Sequence, residues 1–355
     1  MEEHKKTLVV VSGLECNILN EGHVIYLYKY LNKVLPIFKK IIVIVSETNG
    51  SSLKKLNRFV VKDELIENKV TGLLNFHNIS ILKKYQKHQF IIHFWYAPKI
   101  HYLPFFLKKN TTYYTFPDSW SSYYSSKYQL TRKKQFYLKS KFYKYLELAM
   151  SKHCYKTIYV SDAEAKENKG FVIPPLLENY TSKSEKNGIL IGRMNNHLLD
   201  NLLSALTSRD NEFPITVINE DSTLRLRYKK FKNIKFEGWV EDYENFSSKF
   251  LIHLIYDEWA SGMSTKLMNA INTNSLAVGN EAVFRGFPNV IYQRMDDNLF
   301  ISQNLESLIL NVRILIQSDN QTIMNLIRIQ KEHLKSYIDN HNSISKLKEL
   351  YIISP

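Results

Sequence analysis

Phe250–Gly279 reads FLIHLIYDEWASGMSTKLMNAINTNSLAVG. FLIHLI is a short apolar run that stops at Tyr256-Asp257-Glu258, the pattern of a strand buried on both faces. The loop Trp259-Ala260-Ser261-Gly262-Met263-Ser264 leads into TKLMNAINT, which reads as a helix over Thr265–Ile271, and Leu276–Val278 is again a short apolar strand. Strand, loop, helix and strand with no hairpin signal make a βαβ unit, and such units build a parallel sheet.

The alternation continues in both directions. Upstream lie the strand-like runs Ile234–Phe236, Pro214–Ile218 and Gly188–Ile191, with helical periods over Leu198–Leu206 and Tyr243–Ser248. Residues 178–187, ENYTSKSEKN, are polar and read as a linker. Before them an independent series runs through TLVVVS (Thr7–Ser12), a helical period over Glu21–Leu35, IIVIV (Ile41–Val45), FIIHF (Phe90–Phe94), TYYTF (Thr112–Phe116), KTIYV (Lys156–Val160) and Phe171–Ile173. Ser126–Lys152 reads as one or two helices; Asn304–Gln317 and Thr322–Tyr337 read as closing helices. The predicted fold class is α/β, with two Rossmann-like domains facing across a cleft. The predicted boundaries are 1–177, 178–320, and a terminal helical segment 321–355 packing back on the first domain. Open parallel sheets bind ligands outside the carboxyl ends of their strands, so the ligand is expected in that cleft.

The chain length of 355 residues suits two domains at roughly 100–200 residues each. Its net charge of +14, from 48 Lys and Arg against 34 Asp and Glu, favours an anionic partner: nucleic acid, lipid headgroups or a phosphorylated substrate. No RNP motif, helix-turn-helix pattern or zinc finger stands out to support nucleic acid. The two cysteines, Cys16 and Cys154, have neither CxxC nor Cys/His ligand spacing and read as buried thiols in a reducing compartment. No metal site is predicted. The N-terminal segment lacks signal-peptide form, and Phe90–Leu107 is interrupted by charge and prolines, so a cytoplasmic protein is expected, peripheral at most on the inner face of the cell membrane.

The segment quoted first also carries the chemistry. A helix N-terminus presents unused backbone N–H groups and a partial positive charge. Gly262 lets the backbone come close to an anion, and Lys266 adds a point charge in the first turn. Together Ser261, Gly262, Met263, Ser264, Thr265 and Lys266 form a candidate diphosphate site; the ordinary alternative is a βα loop with Ser264 as N-cap. A second signal is Gly188-Ile-Leu-Ile-Gly192-Arg193, a strand ending in Gly-Arg at the start of the second domain.

This order of segments resembles the donor domain of GT-B glycosyltransferases, in particular the GT4-like retaining group (glycosyl transferases group 1). There a strand ending in Gly-Arg is followed by Gly-x-Val, acidic and aromatic residues, a buried strand, a Gly-containing loop and Lys-Leu-x-Glu-Ala. PDSWSSYY (Pro117–Tyr124), FYKYLELAMSKHCYKTIYVSDAEA (Phe142–Ala165) and VIPP (Val172–Pro175) resemble the inter-domain region of that family in the same order. The resemblance implies transfer of a sugar from a nucleotide sugar, UDP- or GDP-linked, to a glycan or lipid-linked glycan acceptor in surface polysaccharide, capsule or lipopolysaccharide synthesis. It also implies a retaining course with no bound metal or other cofactor. Arg193 and Lys266 are then the groups that stabilise the leaving diphosphate. Gly13, Gly192, Glu258 and Asn269 join the loop in holding the donor, and His93 and Asp118 are the catalytic candidates of the acceptor domain. His93 has the alternative of a core histidine, and Asp118 that of a helix N-cap. Glu15, Asn17 and His23 follow the first strand and could line the cleft.

The sequence departs from the family at three points. No lysine follows Gly192-Arg193, and the family's two glutamates eight apart are here Ser261 and Asn269. Asn269 can still accept a hydrogen bond from a ribose hydroxyl through its amide oxygen, without the strength a carboxylate brings. A non-catalytic GT-B-like subunit is therefore one rival reading; a basic nucleic-acid-binding protein is another. Finally, lysines and aromatics interleave through 127–156. Such a helical segment can lie on an anionic bilayer, each basic residue contributing about 1 kcal/mol near the surface, or be an ordinary exposed surface.

Overall fold

A computed structural model of the chain describes residues 6–12, 22–45, 60–63, 76–88, 90–95, 102–116, 119–168, 170–175, 186–192, 194–207, 213–238, 240, 242–258, 263–286, 299–341 and 344–351. The chain divides into two compact units: residues 1–176 with 339–355, and residues 177–338. Both are α/β.

The first unit holds a seven-stranded sheet of β1 (Thr7–Ser12), β2 (Lys40–Val45), β3 (Val60–Asp63), β4 (Ile91–Trp95), β5 (Thr112–Phe116), β6 (Lys156–Tyr159) and β7 (Phe171–Val172), in spatial order 3-2-1-4-5-6-7. Every pairing is parallel. β4 and β5 are buried along their whole length and β1 from Leu8 onward, as strands covered by helices on both faces must be. Alternate residues serve the two faces. On one face Val9, Val11, Ile92, Phe94, Tyr114 and Phe116 meet α2 (Phe76–Lys87) through Ile79 and Leu82. They also meet α4 (Lys134–His153) through Met150 and α5 (Asp162–Asn168) through Ala165. On the other face Trp95 meets Tyr26 and Tyr30 of α1 (Gly22–Val34), and His93 and Tyr113 meet Tyr351 of the last helix. α3 (Trp120–Thr131) precedes α4 and packs against it. The basic stretch expected as one or two helices is thus two, because Arg132 leaves α3 in the left-handed conformation, φ 56°, and turns the chain.

The second unit holds six parallel strands in the order β10 (Ile234–Glu237), β9 (Ile215–Ile218), β8 (Ile189–Ile191), β11 (Ile252–Ile255), β12 (Leu276–Asn280) and β13 (Ile301–Ser302). In sequence terms this is 3-2-1-4-5-6, the doubly wound order, with its reversal between β8 and β11. Around it lie α6 (Asn196–Thr207), α7 (Ser222–Tyr228), α8 (Tyr243–Ser247), α9 (Thr265–Asn272), α10 (Glu281–Phe284), α11 (Leu305–Gln317) and α12 (Asn320–His341). α13 (Ile344–Tyr351) returns to the first unit.

The terminal segment differs from the expected division at residue 321. α12 stays with the second unit through Ile338. β13 pairs with β12 only at Gly279 and Asn280, which leaves the β12 edge open at Ala277. Gln330 closes it: its amide donates to Ala277 O and accepts from Ala277 N, both at 2.9 Å. A buried backbone edge needs such partners, and α12 supplies them here.

Candidate functional site

The carboxyl ends of β8 and β11, where the strand order reverses, carry a group of polar residues. Gly192 follows β8, Tyr256-Asp257-Glu258 follow β11, and α9 begins after the loop beyond them. A Cβ placed on Gly192 would lie 3.5 Å from Lys266 Cδ, so the lysine stem runs directly over the glycine. Lys266 stands in the first turn of α9. Its ammonium is 3.7 Å from Asp257 Oδ1, and both side chains are about one third exposed. Ser264 is the N-cap of α9, its hydroxyl accepting from Leu267 N at 3.4 Å. The capping role and the anion role thus coexist: the cap takes the third N–H of the helix, while the first turn and its positive end face the strand ends. At the far end, Lys186 donates to Thr273 O, Asn274 O and Ser275 Oγ, so the carbonyl end of α9 is held by a cation whose pKa burial pulls down to about 8.

Around this point the acids and amides interlock. Asn280, at the end of β12, donates to Asp257 O at 2.8 Å and accepts from Asp257 N at 3.2 Å. One side-chain amide therefore sets the backbone of the residue that meets Lys266. Glu258 accepts from Asn195 Nδ2 at 2.6 Å and lies 3.6 Å from His197 Nε2. Asp221 caps α7 by accepting from Thr223 N and Leu224 N, and also accepts from Asn196, whose Oδ1 accepts from Asn219. Asn269 is buried, and its Nδ2 donates to Ser247 Oγ at 2.6 Å. Its amide oxygen is then the atom suited to accept from a ligand hydroxyl.

Of the residues singled out from the sequence, the structure brings Gly192, Glu258, Ser264, Thr265, Lys266 and Asn269 to one end of this sheet. The Met263 side chain is 6 % exposed and belongs to the core, so only its backbone is available to a ligand. Gly13, Glu15, Asn17, Asp118, Arg193, Ser261 and Gly262 lie outside the described residues, as does the side chain of His23. Asn280, Asn195, Asn196, Asn219 and Ser247 were not anticipated. Each is an ordinary polar residue at a strand or helix end, and only the strand order puts them together.

His93 is corrected as a catalytic candidate. It is fully buried in β4, its ring nitrogens hydrogen-bonded to Tyr351 Oη at 2.7 Å and Thr115 Oγ1 at 2.6 Å, and burial pulls its pKa down to about 3. It is a satisfied core residue. The cap expected of Asp118 falls on Ser119. Its hydroxyl accepts from Ser122 N and donates to the buried Glu147, and its N–H donates to Glu164 Oε1 at 3.0 Å. Glu147 also accepts from Ser121 Oγ at 2.6 Å and Ser121 N at 3.2 Å. Cys154 is a buried free thiol whose pKa burial pushes up to about 12, as expected of a packing residue. Among the described residues no cluster of His, Cys, Asp and Glu could hold a metal ion.

Two parallel-sheet units, each with its strand order reversing beside the first strand, are the fold of the GT-B glycosyltransferases, and the chain is similar to solved structures of that class. One is a glycosyltransferase from Rickettsia africae, at 16 % identity over 98 % of this chain and 96 % of that one, with a TM-score of 0.61. A second is WaaG, a glycosyltransferase involved in lipopolysaccharide biosynthesis, at 12 % identity over 98 % and 100 %, TM-score 0.61. A third is Anabaena HepE in complex with UDP and glucose, at 11 % identity over 98 % of both chains, TM-score 0.62. At these identities the likeness is one of fold. No family model matches the chain, and a search of curated protein sequences finds no match.

Proposed function

We propose that this protein is a glycosyltransferase that moves a sugar from a nucleotide sugar to a glycan acceptor in surface polysaccharide or lipopolysaccharide synthesis, with retention and without a metal ion. The observation that carries the reading is Lys266. It stands on the first turn of α9, its stem against Gly192, beside the point where the β8–β11 order reverses. Open α/β sheets bind ligands at that point, and a helix N-terminus with an adjacent ammonium suits a diphosphate. Positive charge there would stabilise the nucleoside diphosphate as the glycosyl bond breaks. Asn269 then receives a ribose hydroxyl on its amide oxygen. The HepE structure, solved with UDP and glucose, supports a uridine nucleotide as the first donor to try.

The test is a panel of UDP-, GDP-, CMP- and TDP-sugars, read by thermal shift and by hydrolysis of the donor. Stabilisation and hydrolysis with one nucleotide class are expected. Silence with every nucleotide would end the enzyme reading, and binding without turnover would favour the non-catalytic subunit, for which the neutral Asn269 is the motivating residue.

With the responding donor in hand, Asn280→Ala is expected to weaken binding about tenfold. The variant removes two neutral hydrogen bonds at roughly 0.5–1.5 kcal/mol each, and with them the placement of Asp257 beside Lys266. Calorimetric titration checks this, and an unchanged Kd would show that the Asp257 backbone does not matter to the donor.

A further inference from the structure

α9 carries a buried amide among core residues. Leu267, Met268, Ala270 and Ile271 belong to the core, and Asn269 between them is 8 % exposed. A side-chain amide withdrawn from water costs free energy unless both its ends find partners. The Nδ2 end has one inside the protein: it donates to Ser247 Oγ at 2.6 Å. The Oδ1 end points away from Ser247 and, among the described residues, receives no hydrogen bond.

Ser247 decides which end of the amide faces which way. The oxygen and nitrogen of an amide have nearly the same shape, so packing alone does not orient an asparagine; its hydrogen-bond partners do. A serine hydroxyl has a single proton. That of Ser247 is directed to Glu244 O at 3.1 Å, so toward Asn269 the hydroxyl oxygen is an acceptor and takes an N–H. Ser247 is itself held. It is fully buried at the end of α8, and its carbonyl accepts from His253 Nε2 at 2.9 Å and from Phe250 N at 3.2 Å. His253 stands on β11, the strand that leads to the candidate site. Strand, α8 turn and α9 amide are joined in one series of directed hydrogen bonds, and the series ends at Asn269 Oδ1.

We infer that Ser247 is a positioning residue for donor binding. It fixes the Asn269 amide with the nitrogen on the protein and the oxygen free, so the site requires a ligand hydroxyl that donates and disfavours a group of the same size that cannot. A carboxylate at this position would need no such control, because its two oxygens are equivalent acceptors; a neutral amide does. The inference rests on the proposed function, in which the hydroxyl is one of the ribose of the nucleotide sugar. It adds to that reading the residue that sets the direction of the bond.

The experiment is calorimetric titration of the full chain with UDP and GDP, and with the forms of each in which fluorine replaces the 2′- or the 3′-hydroxyl. Fluorine is of similar size and cannot donate. With the nucleotide that binds, the parent is expected to lose about tenfold in affinity on one of the two replacements. Ser247→Ala frees the amide to turn, and the same ratio is expected to fall below about twofold, with thermal melting showing that the fold is kept. Adding Asn269→Asp to Ser247→Ala is expected to restore a ratio of at least about tenfold, because either carboxylate oxygen accepts; a packing role of Ser247 would not be rescued in this way. Should Ser247→Ala melt below the assay temperature, Ser247→Cys, which keeps a side chain of similar shape with a weaker acceptor, is read for the same loss of ratio. Failure of the parent to bind either nucleotide strikes the proposed donor and the inference with it. Binding of UDP or GDP with no loss on either replacement, a ratio unchanged in the Ser247 variant, or a ratio that Asn269→Asp does not restore overturns the inference and leaves the proposed function standing.

Discussion

Lys266→Ala is expected to lower donor turnover about 100-fold, with donor binding weakened much less, because under the proposed function the ammonium would oppose charge that grows as the diphosphate leaves. Removing one preorganised electrostatic group from a reacting centre costs about 2.7 kcal/mol or more, more than any single neutral hydrogen bond around α9 contributes. The variant also leaves Asp257, whose carboxylate stands 3.7 Å from the ammonium, as an unopposed negative charge beside the leaving group. Two further variants separate these effects. Lys266→Met keeps the apolar stem over Gly192 and is expected to be as slow as Lys266→Ala. Lys266→Ala combined with Asp257→Asn is expected to regain part of the loss. Hydrolysis of the responding nucleotide sugar under saturating donor is the measurement. Full turnover in Lys266→Met would show that the residue only packs and that the turn is only a helix cap.

Acid is expected to destabilise both units before the carboxylates titrate. Burial pulls the His93 imidazole down to about 3 and that of His253 down to about 4. His93 is held between Tyr351 and Thr115, and His253 donates from Nε2 to Ser247 O at 2.9 Å. In the unfolded chain both rings return to their ordinary value near 6.5, so from there down to the depressed values the unfolded state binds more protons. Stability is therefore complete above pH 6.5 and is lost as pH falls through this window. Each ring contributes a loss of roughly 2 kcal/mol between about pH 7.5 and pH 5. Glu147 works in the opposite sense lower down. Burial raises its pKa above 4.5, so the folded state takes up a proton first and gains stability as pH falls through the raised value. Because His93 belongs to the first unit and His253 to the second, each reports on its own unit. Urea unfolding at a series of pH values is the check. His93→Gln should flatten the acid arm of the first unit by about one proton, and a pH-independent midpoint from 7.5 to about 5 would refute the account.

Much of the fold was legible because a buried parallel strand has a distinctive local form. TLVVVS, FIIHF, TYYTF and FLIHLI are each short apolar runs between polar breaks, and each is a strand. What escaped the sequence reading was weak in that signal. β3 (Val60–Asp63) is an edge strand whose VVKD carries two charges, α2 has polar residues on most of its turns, and β13 is two residues long. The terminal helices were legible as helices, but their partners were not. An amphipathic stripe says that a helix packs, and it does not say on which sheet. Gln330 decides that for α12 through the open edge at Ala277, and Tyr351 decides it for α13 through its hydroxyl contacts with His93 and Tyr30.

At the candidate site, the local chemistry of the β11–α9 turn came from the sequence alone. A strand, a glycine loop, a serine cap and a lysine in the first turn are consecutive residues, and their geometry follows from backbone hydrogen bonding over a few residues. The tertiary structure decided which distant residues meet that turn. Gly192 lies under the Lys266 stem and Asn280 grips Asp257 because β8 and β12 are the neighbours of β11, an order that no local pattern encodes. It also decided the fate of the two residues whose type suggested more than one role. His93 is drawn inward because its strand has helices on both faces and hydroxyl groups within reach of each ring nitrogen. Glu147 is drawn inward because Ser119 and Ser121 present N–H and O–H groups to it, and the apolar residues of α4 are left on the outside.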